Sequence, residues 1–346
     1  MSRIVFADMT GAYDGRSLDE RPLGGTESSV IRLARELVAR GHEVSVHTRC
    51  TNPVEHEGVR WLPLSHPPQK QSDLYVAVQQ PRLLGLVAKP ARLAIWVLWQ
   101  PNNLKHHKQI WRMWRYRPIP ILMSRSQQAR YSPFLPPRRG DILLPLGLPE
   151  DVRHLPPLAG TPARRAIFAS NPSRNLHRLV RIWAEMILPR VPDAVLDVYG
   201  VNGLDQTKGG WEAWEGGYLP SGLDAAAKAS VRIHPPLARA DLRQAMRQAR
   251  VMPYLGHKSE AFCLTLAEAQ SLGLPAVVAR IGALPERVVD GITGFHRDDD
   301  AGFAEATIAL LTDDGLWRRQ HEKALALQQG WSWRDYAAAF EAGLLR

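Results

Sequence analysis

The stretch RIVFADMTGAYDGRSLDERPLGGTESSVIRLARELVARGHEVSVHT, residues Arg3–Thr48, decides the fold. Its first residues, RIVFAD, form a short apolar run that is typical of a buried strand. After Thr26, the expected helix cap, apolar side chains at Val30, Leu33 and Leu37 follow a helical spacing. EVSVHT then supplies the next strand. The order strand, helix, strand predicts a parallel sheet covered by helices.

The same alternation continues through both halves of the chain. Further buried strands of the first half are DLYVAVQQ, LAIWVLWQ, PIPILMSRS and DILLPLGLPE. The segment LPPLAGTPA, 155–163, has the composition of a linker, and AIFAS, AVLDVYG, VRIHP, RVMPYL and PAVVAR follow it. A chain of 346 residues exceeds the usual size of one core. We therefore predict an α/β protein with two doubly wound Rossmann-like domains, 1–155 and 156–330, facing an interdomain cleft.

Composition restricts the class of protein. The chain is 45% hydrophobic and 23% charged, as in ordinary globular proteins, and no apolar run reaches the length of a membrane span. MSRIVFADMTG predicts a first strand rather than a signal peptide. The two cysteines, Cys50 and Cys263, lack metal-type spacing. These features predict a cytoplasmic protein without structural zinc.

Positive charge is concentrated in the first half. The net charge is +10, and between Asp73 and Asp141 there are 12 Lys or Arg residues and no acidic residue. Such a one-sided field favours an anionic partner, which leaves membrane lipid, nucleic acid and a phosphorylated substrate open. A merely solvated basic surface is the alternative.

The segment KHHKQIWRMWRYRP, 105–118, mixes aromatic and cationic side chains. This mixture suits a lipid headgroup interface, and it also suits stacking on single-stranded nucleic acid. Alternatively, two tryptophans at a spacing of three form the buried face of an ordinary helix. The candidate acceptor or membrane contacts here are Trp111, Arg112, Trp114 and Arg115.

Two glutamates stand eight positions apart in SEAFCLTLAEAQSLGLP, 259–275. On one helix they would lie about 12 Å apart along the axis, too far to share a proton. RVMPYL predicts a strand before them, which places Glu260 in the following loop and Glu268 inside a helix that begins near Leu264. Free N–H groups at the start of that helix attract phosphate. A carboxylate, an anion site and a second carboxylate match a sugar, a diphosphate and a ribose, although solvated helix glutamates are the alternative.

This stretch resembles the E-x7-E signature of retaining GT-B glycosyltransferases, particularly glycosyltransferase family 4. Glu260-Ala-Phe-Cys-Leu followed by Glu268-Ala carries the likeness, and GLPAVVARIGALPERVVDGITGF, 273–295, is similar to the family's continuation. The resemblance implies an acceptor-binding domain at 1–155 and a nucleotide-sugar domain at 156–330. It also implies that the last helix, within 331–346, packs back on the first domain.

The resemblance also assigns roles in the second domain. Glu260 would hold donor-sugar hydroxyls and Glu268 ribose hydroxyls, with the diphosphate lined by Phe262, Cys263, Leu264 and Thr265. Arg174 falls on the family's lysine position in ASNPSRNLHRL, whereas the arginine position falls on uncharged Asn171, and Lys258 is a candidate second cation. Glu260, Arg174 and Lys258 are thus the expected catalytic residues. Positions flanking the nucleobase are Gly200 and His234.

In the first domain the likeness is looser. LGGTES resembles the family's glycine-rich loop, so Gly24 and Gly25 are expected at the donor, although a simple turn is equally consistent. The family often has a histidine where this chain has Gln100. Gln100, Asn102 and His106 are therefore the candidate acceptor-positioning residues.

The resemblance implies a retaining hexosyltransferase that uses a UDP-, GDP- or ADP-sugar and needs no separate cofactor. The only Asp-x-Asp pattern in the sequence is the acidic run Asp298-Asp299-Asp300, outside the E-x7-E stretch, and we expect metal-independent transfer. The expected acceptor is a glycan or a lipid-linked sugar of cell-surface polysaccharide or lipopolysaccharide synthesis, met peripherally at the inner face of the plasma membrane. Two alternatives remain: a non-catalytic GT-B accessory protein that binds a nucleotide or glycan, and, resting on charge alone, a nucleic-acid-binding protein.

Overall fold

The structure is a computed structural model, and it describes residues 1–345 except 22, 68–70, 102–103, 105, 139 and 201–216. Contacts within the chain define two units. Unit 1 consists of Met1–Gly147 and Trp331–Arg346, and unit 2 consists of Leu148–Gly330.

The described part of unit 1 contains eight strands. They are β1 (Arg3–Ala7), β2 (Glu43–Thr48), β3 (Val54–His56), β4 (Val59–Pro63), β5 (Gln71–Val78), β6 (Lys89–Trp96), β7 (Ile119–Leu122) and β8 (Ile142–Leu143). Its helices are α1 (Ser17–Glu20), α2 (Gly25–Ala39), α3 (His107–Tyr116), α4 (Arg125–Ala129) and, from the end of the chain, α11 (Trp333–Leu344).

These strands form one sheet in the order β3-β4-β2-β1-β5-β6-β7-β8. All pairs are parallel except the β3–β4 hairpin at one edge. The central strands are buried along most of their length, because helices cover both faces of a parallel sheet.

Helix α2 begins two residues earlier than a cap at Thr26 predicts. Gly24 is the N-cap, in extended backbone and without a side-chain cap, and Thr26 already lies inside the helix. The prediction of Thr26 as the cap is therefore wrong. The reason is physical: glycine is a good N-cap residue in its own right, so the helix needs no hydroxyl there.

Helix α11 belongs to unit 1 and packs on its core. Its start is fixed by a capping box between Ser332 and Asp335. The Phe340 ring lies 6.1 Å from the ring of Phe6 on β1, centroid to centroid, and the Tyr336 ring lies 5.8 Å from Trp96 on β6. The end of the chain thus completes the hydrophobic core of the first unit.

Unit 2 repeats the strand–helix alternation. Its strands are β9 (Arg165–Phe168), β10 (Val195–Tyr199), β11 (Val231–His234), β12 (Met252–Tyr254), β13 (Ala276–Val278) and β14 (Gly294–His296). Its helices are α5 (Leu176–Ile182), continued by a π-helical turn (Trp183–Ile187), α6 (Ala225–Ser230), α7 (Arg239–Arg247), α8 (Leu264–Ser271), α9 (Asp300–Thr312) and α10 (Asp314–Leu327).

The strands of unit 2 pair in two parallel groups, β11-β10-β9 and β12-β13-β14. A parallel bridge between Ala166 and Val251 joins the groups, and the Ile167 amide donates to the Val251 carbonyl at 3.1 Å. The result is one continuous parallel arrangement. The predicted α/β class with parallel sheets is confirmed.

The boundary between the units lies before the expected linker. Ser271 Oγ on α8 donates to the Val152 carbonyl at 2.8 Å, and the Leu158 amide donates to His321 Nε2 on α10 at 3.0 Å. These bonds fix the proline-rich segment to unit 2, so its composition alone does not mark the division. Within the described residues, no helix has the length and apolar character needed to cross a membrane.

Candidate nucleotide-sugar site

The loop between β12 and α8 is shaped by backbone that favours glycine. Gly256 has a φ of +66°, and a Cβ there would lie 2.5 Å from Leu284 Cδ1. Gly282, with a φ of +56°, lies against the same loop, and its Cβ would meet the Glu260 carbonyl oxygen at 2.3 Å. The neighbouring Ala283 amide donates to that carbonyl at 3.2 Å. Close backbone packing therefore holds Glu260 in place.

Glu260 is buried at the end of this loop, with 5% of its surface exposed. Tyr254, the last residue of β12, donates its hydroxyl to Glu260 Oε1 at 2.8 Å. The Tyr254 oxygen also lies 3.2 Å from Ser170 Oγ. Burial raises the pKa of the Tyr254 phenol, and the neighbouring Cys263 and Glu260 add to the shift, so Tyr254 remains a donor to the carboxylate.

Arg174 approaches the same carboxylate from a different loop. Its Nε lies 3.5 Å from Glu260 Oε1, and its Nη1 donates to Ser259 Oγ. The β9–α5 loop is held by Asn175, which has a φ of 64° and donates from Nδ2 to the Gly256 carbonyl at 2.5 Å. The structure thus brings two of the three expected catalytic residues together.

Asn171 and Lys258 stand at the edges of this cluster. Asn171 is exposed; its Oδ1 accepts from the Ser173 amide at 2.9 Å and its carbonyl from the Arg174 amide at 2.9 Å. It therefore shapes the turn that presents Arg174 and adds no charge. Lys258 is exposed and precedes Ser259 and Glu260 in the loop.

The N-terminus of α8 lies between the two glutamates in the chain. No side chain caps it, and its first turn contains no acidic residue. Cys263 is the N-cap with a φ of 65°, so it adopts the left-handed conformation that the family's glycine would take. Burial raises the pKa of the Cys263 thiol, which keeps it neutral beside an anion. Leu264 and Thr265, half-buried, begin the helix whose first amides lack helical partners.

Phe262 is buried, and the Arg287 side chain packs on its ring. The Arg287 guanidinium carbon lies 4.4 Å from the centre of the Phe262 ring, and burial lowers the pKa of that arginine. Phe262 therefore anchors the loop through its side chain and leaves only its backbone for a ligand.

Glu268 is 6% exposed, on the second turn of α8. Arg239 at the start of α7 donates from Nη1 to Glu268 Oε1 at 3.4 Å. Burial lowers the pKa of Arg243, one turn further along α7, while the charge of Glu268 opposes that shift. Glu268 is therefore a buried carboxylate with cationic neighbours, which does not fit the alternative of a solvated helix glutamate.

The two expected nucleobase positions lie at neighbouring strand ends. Gly200 is buried directly after β10. His234, the last residue of β11, has Nε2 at 2.7 Å from Asp197 Oδ1, and its ring stacks on Tyr199 with centroids 4.5 Å apart. Because carboxyl ends of parallel strands meet at one edge of a sheet, these rings share an edge with the β12–α8 loop.

Gly24 and Gly25 lie exposed at the start of α2, in unit 1. A Cβ on Gly24 would lie 2.6 Å from Glu27 Oε2, whereas Gly25 has open space around it. Burial raises the pKa of the Glu27 carboxyl, and the charge of Asp8 adds to that shift. A side chain at Gly24 would therefore displace the Glu27 carboxylate, whereas Gly25 has room for one.

The other expected residues of unit 1 have different settings. Gln100 is 3% exposed, and its Nε2 donates to Ser126 Oγ at 3.5 Å. His106 is exposed at the N-cap of α3, without a side-chain cap. Asn102 lies outside the described residues.

On helix α3 the core-packing interpretation is wrong. Trp111 is 62% exposed and Trp114 is 44% exposed, whereas Met113 is buried. Arg112 is half-buried and Arg115 is exposed. One helix turn thus presents both tryptophans to solvent.

Sequence reasoning missed several residues around the glutamates. They are Tyr254, Ser170, Ser259, Asn175 and Arg239. A tyrosine ending a strand just before the E-x7-E stretch was a usable signal for Tyr254. Arg239 carries no local signal, because only the packing of α7 against α8 brings it to Glu268. Among the residues that the structure describes, no cluster of His, Cys, Asp and Glu side chains suits a metal ion.

Known proteins resemble this chain both in fold and in the sequence of residues 164–313. Residues 164–313 match the family described as glycosyl transferases group 1. A D-inositol 3-phosphate glycosyltransferase of Thermobifida fusca is 31% identical over 213 residues, 58% of this chain and 44% of that protein. The chain spans less than half the length of the curated relatives it matches.

Solved structures match over the whole chain. Sucrose-phosphate synthase from Thermosynechococcus elongatus superposes with a TM-score of 0.73 at 15% identity, covering 99% of this chain and 98% of that one. HepE from Anabaena, solved with UDP-glucose, also gives 0.73 at 15% identity, covering 99% and 100%. At this identity the likeness concerns the fold. The chain has the GT-B fold, and its residues 164–313 match the family described as glycosyl transferases group 1.

Proposed function

We propose that the protein is a retaining glycosyltransferase that moves a sugar from a nucleotide donor to an acceptor hydroxyl. The family match supports glycosyl transfer as the general function. One observation supports the specific reaction: Glu260 and Glu268 are both buried, and the uncapped start of α8 lies between them along the chain. Buried carboxylates need polar partners, and Tyr254, Arg174 and Arg239 hold these two in fixed places instead of leaving them solvated.

In this proposal the role of each residue follows from the negative charge that develops on the leaving diphosphate. The bond between the anomeric carbon and the diphosphate breaks, and negative charge grows on the leaving phosphate oxygen. The first amides of α8 and the Arg174 guanidinium stabilise that charge, since preorganised donors act where the charge appears. The acceptor oxygen bonds to the same face of the sugar, and its proton passes to the leaving phosphate. Glu260 orients the sugar hydroxyls.

The donor is a nucleotide sugar, and a UDP-sugar is the first candidate. HepE was solved with UDP-glucose, and the fold is shared. Glu268 would bind the ribose hydroxyls once the nucleotide displaces Arg239 from the carboxylate. GDP- and ADP-sugars are the competing donors. The transfer is proposed to need neither a metal ion nor a separate cofactor.

The proposed acceptor is a glycan or lipid-linked sugar of cell-surface synthesis, including lipopolysaccharide. The acid-free segment between Asp73 and Asp141 supports an anionic acceptor environment. The proposed location is cytoplasmic, peripheral at the inner face of the plasma membrane.

A donor screen tests this function. Thermal unfolding is measured with UDP-, GDP- and ADP-sugars, because a ligand that binds only the folded state raises the midpoint. The best donor is then incubated with the protein, and NMR records the anomer released to acceptor or water. Retained configuration supports the proposal, and inverted configuration contradicts it.

A non-catalytic accessory role is the second candidate. The uncharged Asn171 at the family's arginine position favours it, because one cation of the diphosphate clamp is missing. Such a protein would bind the nucleotide sugar without any release of free nucleotide. Measurable donor hydrolysis excludes this role.

A further inference from the structure

We propose that one side of helix α3 is a docking surface for an anionic lipid bilayer. This α3 surface consists of Trp111, Trp114, Arg115, Tyr116, Arg117 and Phe134. The proposal deepens the proposed function, on whose membrane-linked acceptor it rests, by naming the residues that would meet the lipid.

Helix α3 is attached to unit 1 by little of its own surface. Met113 is fully buried in the core, next to residues such as Leu104 and Leu122, and Ile110 packs against the same cluster. Of its large rings, Trp111 and Trp114 are exposed, while the Tyr116 hydroxyl lies against Gly85. Trp111 is 62% exposed and Tyr116 is 37% exposed. A helix that buries one methionine and exposes its aromatic rings is unusual unless the exposed surface binds a partner.

A neighbouring loop extends the exposed apolar surface. The Trp114 indole N–H donates to the Phe134 carbonyl at 2.9 Å, which fixes the tryptophan to that loop. Phe134 itself is 74% exposed. Trp114 and Phe134 therefore belong to one continuous surface rather than to two separate ones.

Cationic groups lie directly over these rings. The Arg115 guanidinium carbon lies 5.8 Å from the centre of the Trp111 ring and 5.7 Å from that of Tyr116. The Arg117 guanidinium carbon lies 5.7 Å from the Trp114 ring. Within the described part of the chain, neither arginine forms an ion pair with a carboxylate. Aromatic rings can enter the interface of an anionic bilayer while the adjacent guanidinium groups bind lipid phosphate.

The observations favour lipid over other occupants. A second copy of the chain would bring like charges together, since the segment from 74 to 140 contains no acidic residue. Nucleic acid needs open ring faces on which bases can stack, whereas here a guanidinium group already lies over one face of Trp111 and one face of Trp114. Binding to a bilayer interface requires only exposed ring edges and cationic groups.

Vesicle co-sedimentation of the full chain tests the proposal. Phosphatidylcholine vesicles are compared with vesicles that also contain phosphatidylglycerol, and neither donor nor acceptor is added. We expect binding to the anionic vesicles, weakened by added salt, and little binding to the neutral ones. Because no turnover is measured, glycosyl transfer could be disproved while this result stands, and the reverse also holds.

Matched variants assign the binding to the α3 surface. Arg115→Gln should lower the partition coefficient about fivefold, and Trp111→Ala should lower it to a similar degree. Arg232→Gln on β11 removes one exposed cation elsewhere, and Trp331→Ala removes another exposed tryptophan, so both should bind as wild type. Unchanged unfolding midpoints would exclude misfolding as the cause.

Equal binding to both vesicle types, or equal losses in the control variants, would overturn the proposal. So would retention of single-stranded RNA that falls in Arg115→Gln without any vesicle binding, because the surface would then belong to nucleic acid.

Discussion

Arg174 Nε lies 3.5 Å from Oε1 of Glu260, although the two residues belong to different strand-to-helix loops of unit 2. Arg174→Ala should therefore remove both a partner of the buried carboxylate and a cation for the leaving diphosphate. We expect donor turnover to fall roughly a hundredfold, as for the loss of one preorganised donor. Arg174→Lys should recover part of the rate, since lysine keeps the charge without the planar geometry.

Arg181→Ala is the control for this variant. Arg181 lies on α5, the helix that follows the Arg174 loop; half of its side chain is exposed, and its Nη2 lies 3.8 Å from Asp300 Oδ2. Its loss should leave the kcat for donor hydrolysis within about twofold of wild type, because exposed ion pairs contribute little. A similar drop in both variants would mean that Arg174 acts only through the stability of α5.

Glu268→Ala should weaken nucleotide binding and change little else. A hydrogen bond to a charged group accounts for about tenfold to hundredfold in affinity. Calorimetric titration with the nucleoside diphosphate chosen by the donor screen measures this change. Glu322→Ala, which removes an exposed glutamate of α10, should titrate as wild type. Unchanged affinity in Glu268→Ala would remove the ribose role.

Gly282→Ala should destabilise the loop that carries Glu260. Its φ is +56°, and the new Cβ would lie 2.3 Å from the Glu260 carbonyl oxygen. The expected loss in the free energy of unfolding is about 2–4 kcal/mol, from left-handed strain and overpacking together.

Gly291→Ala separates those two causes. Gly291 has a φ of +75°, and a Cβ added there would meet no atom within 4 Å, so only the strain remains. Urea unfolding should show a loss of about 1 kcal/mol for this control. Equal losses in both variants would show that contact with Glu260 contributes nothing.

His321 should make stability depend on pH. The ring is 2% exposed: Nε2 accepts from the Leu158 amide and Nδ1 lies 2.7 Å from the Gly273 carbonyl oxygen, so the neutral tautomer satisfies both nitrogens. Burial lowers the pKa of His321 below 6.5. The neutral ring therefore stabilises the fold above 6.5, and this contribution is lost as the pH falls through the lowered pKa.

Urea unfolding at about pH 7 and about pH 5 measures this loss. The pKa of buried His47 is lowered in the same direction, so wild type contains both contributions. The difference between wild type and His321→Gln isolates one of them. If both proteins lose the same free energy on acidification, His321 does not titrate with unfolding.

The parallel α/β architecture was predictable because strands and helices follow hydrophobic periodicity, which a single sequence contains. The E-x7-E stretch was equally readable, since its strand, loop and helix are local. Partners from other elements were not: Arg239 reaches Glu268 only through the packing of two helices. The α3 tryptophans were ambiguous for a related reason, because a spacing of three fits a buried or an exposed face equally. Whether that face of α3 is buried or exposed depends on whether another element covers the helix.

The central claim is that α8 begins at the diphosphate of a bound nucleotide sugar. The direct test is a crystal structure of the protein with the nucleoside diphosphate selected by the donor screen. We expect phosphate oxygens within hydrogen-bond distance of the Leu264 and Thr265 amides, with the ribose hydroxyls on Glu268. Diphosphate bound at any other place, with these amides and Glu268 free of nucleotide, would contradict it.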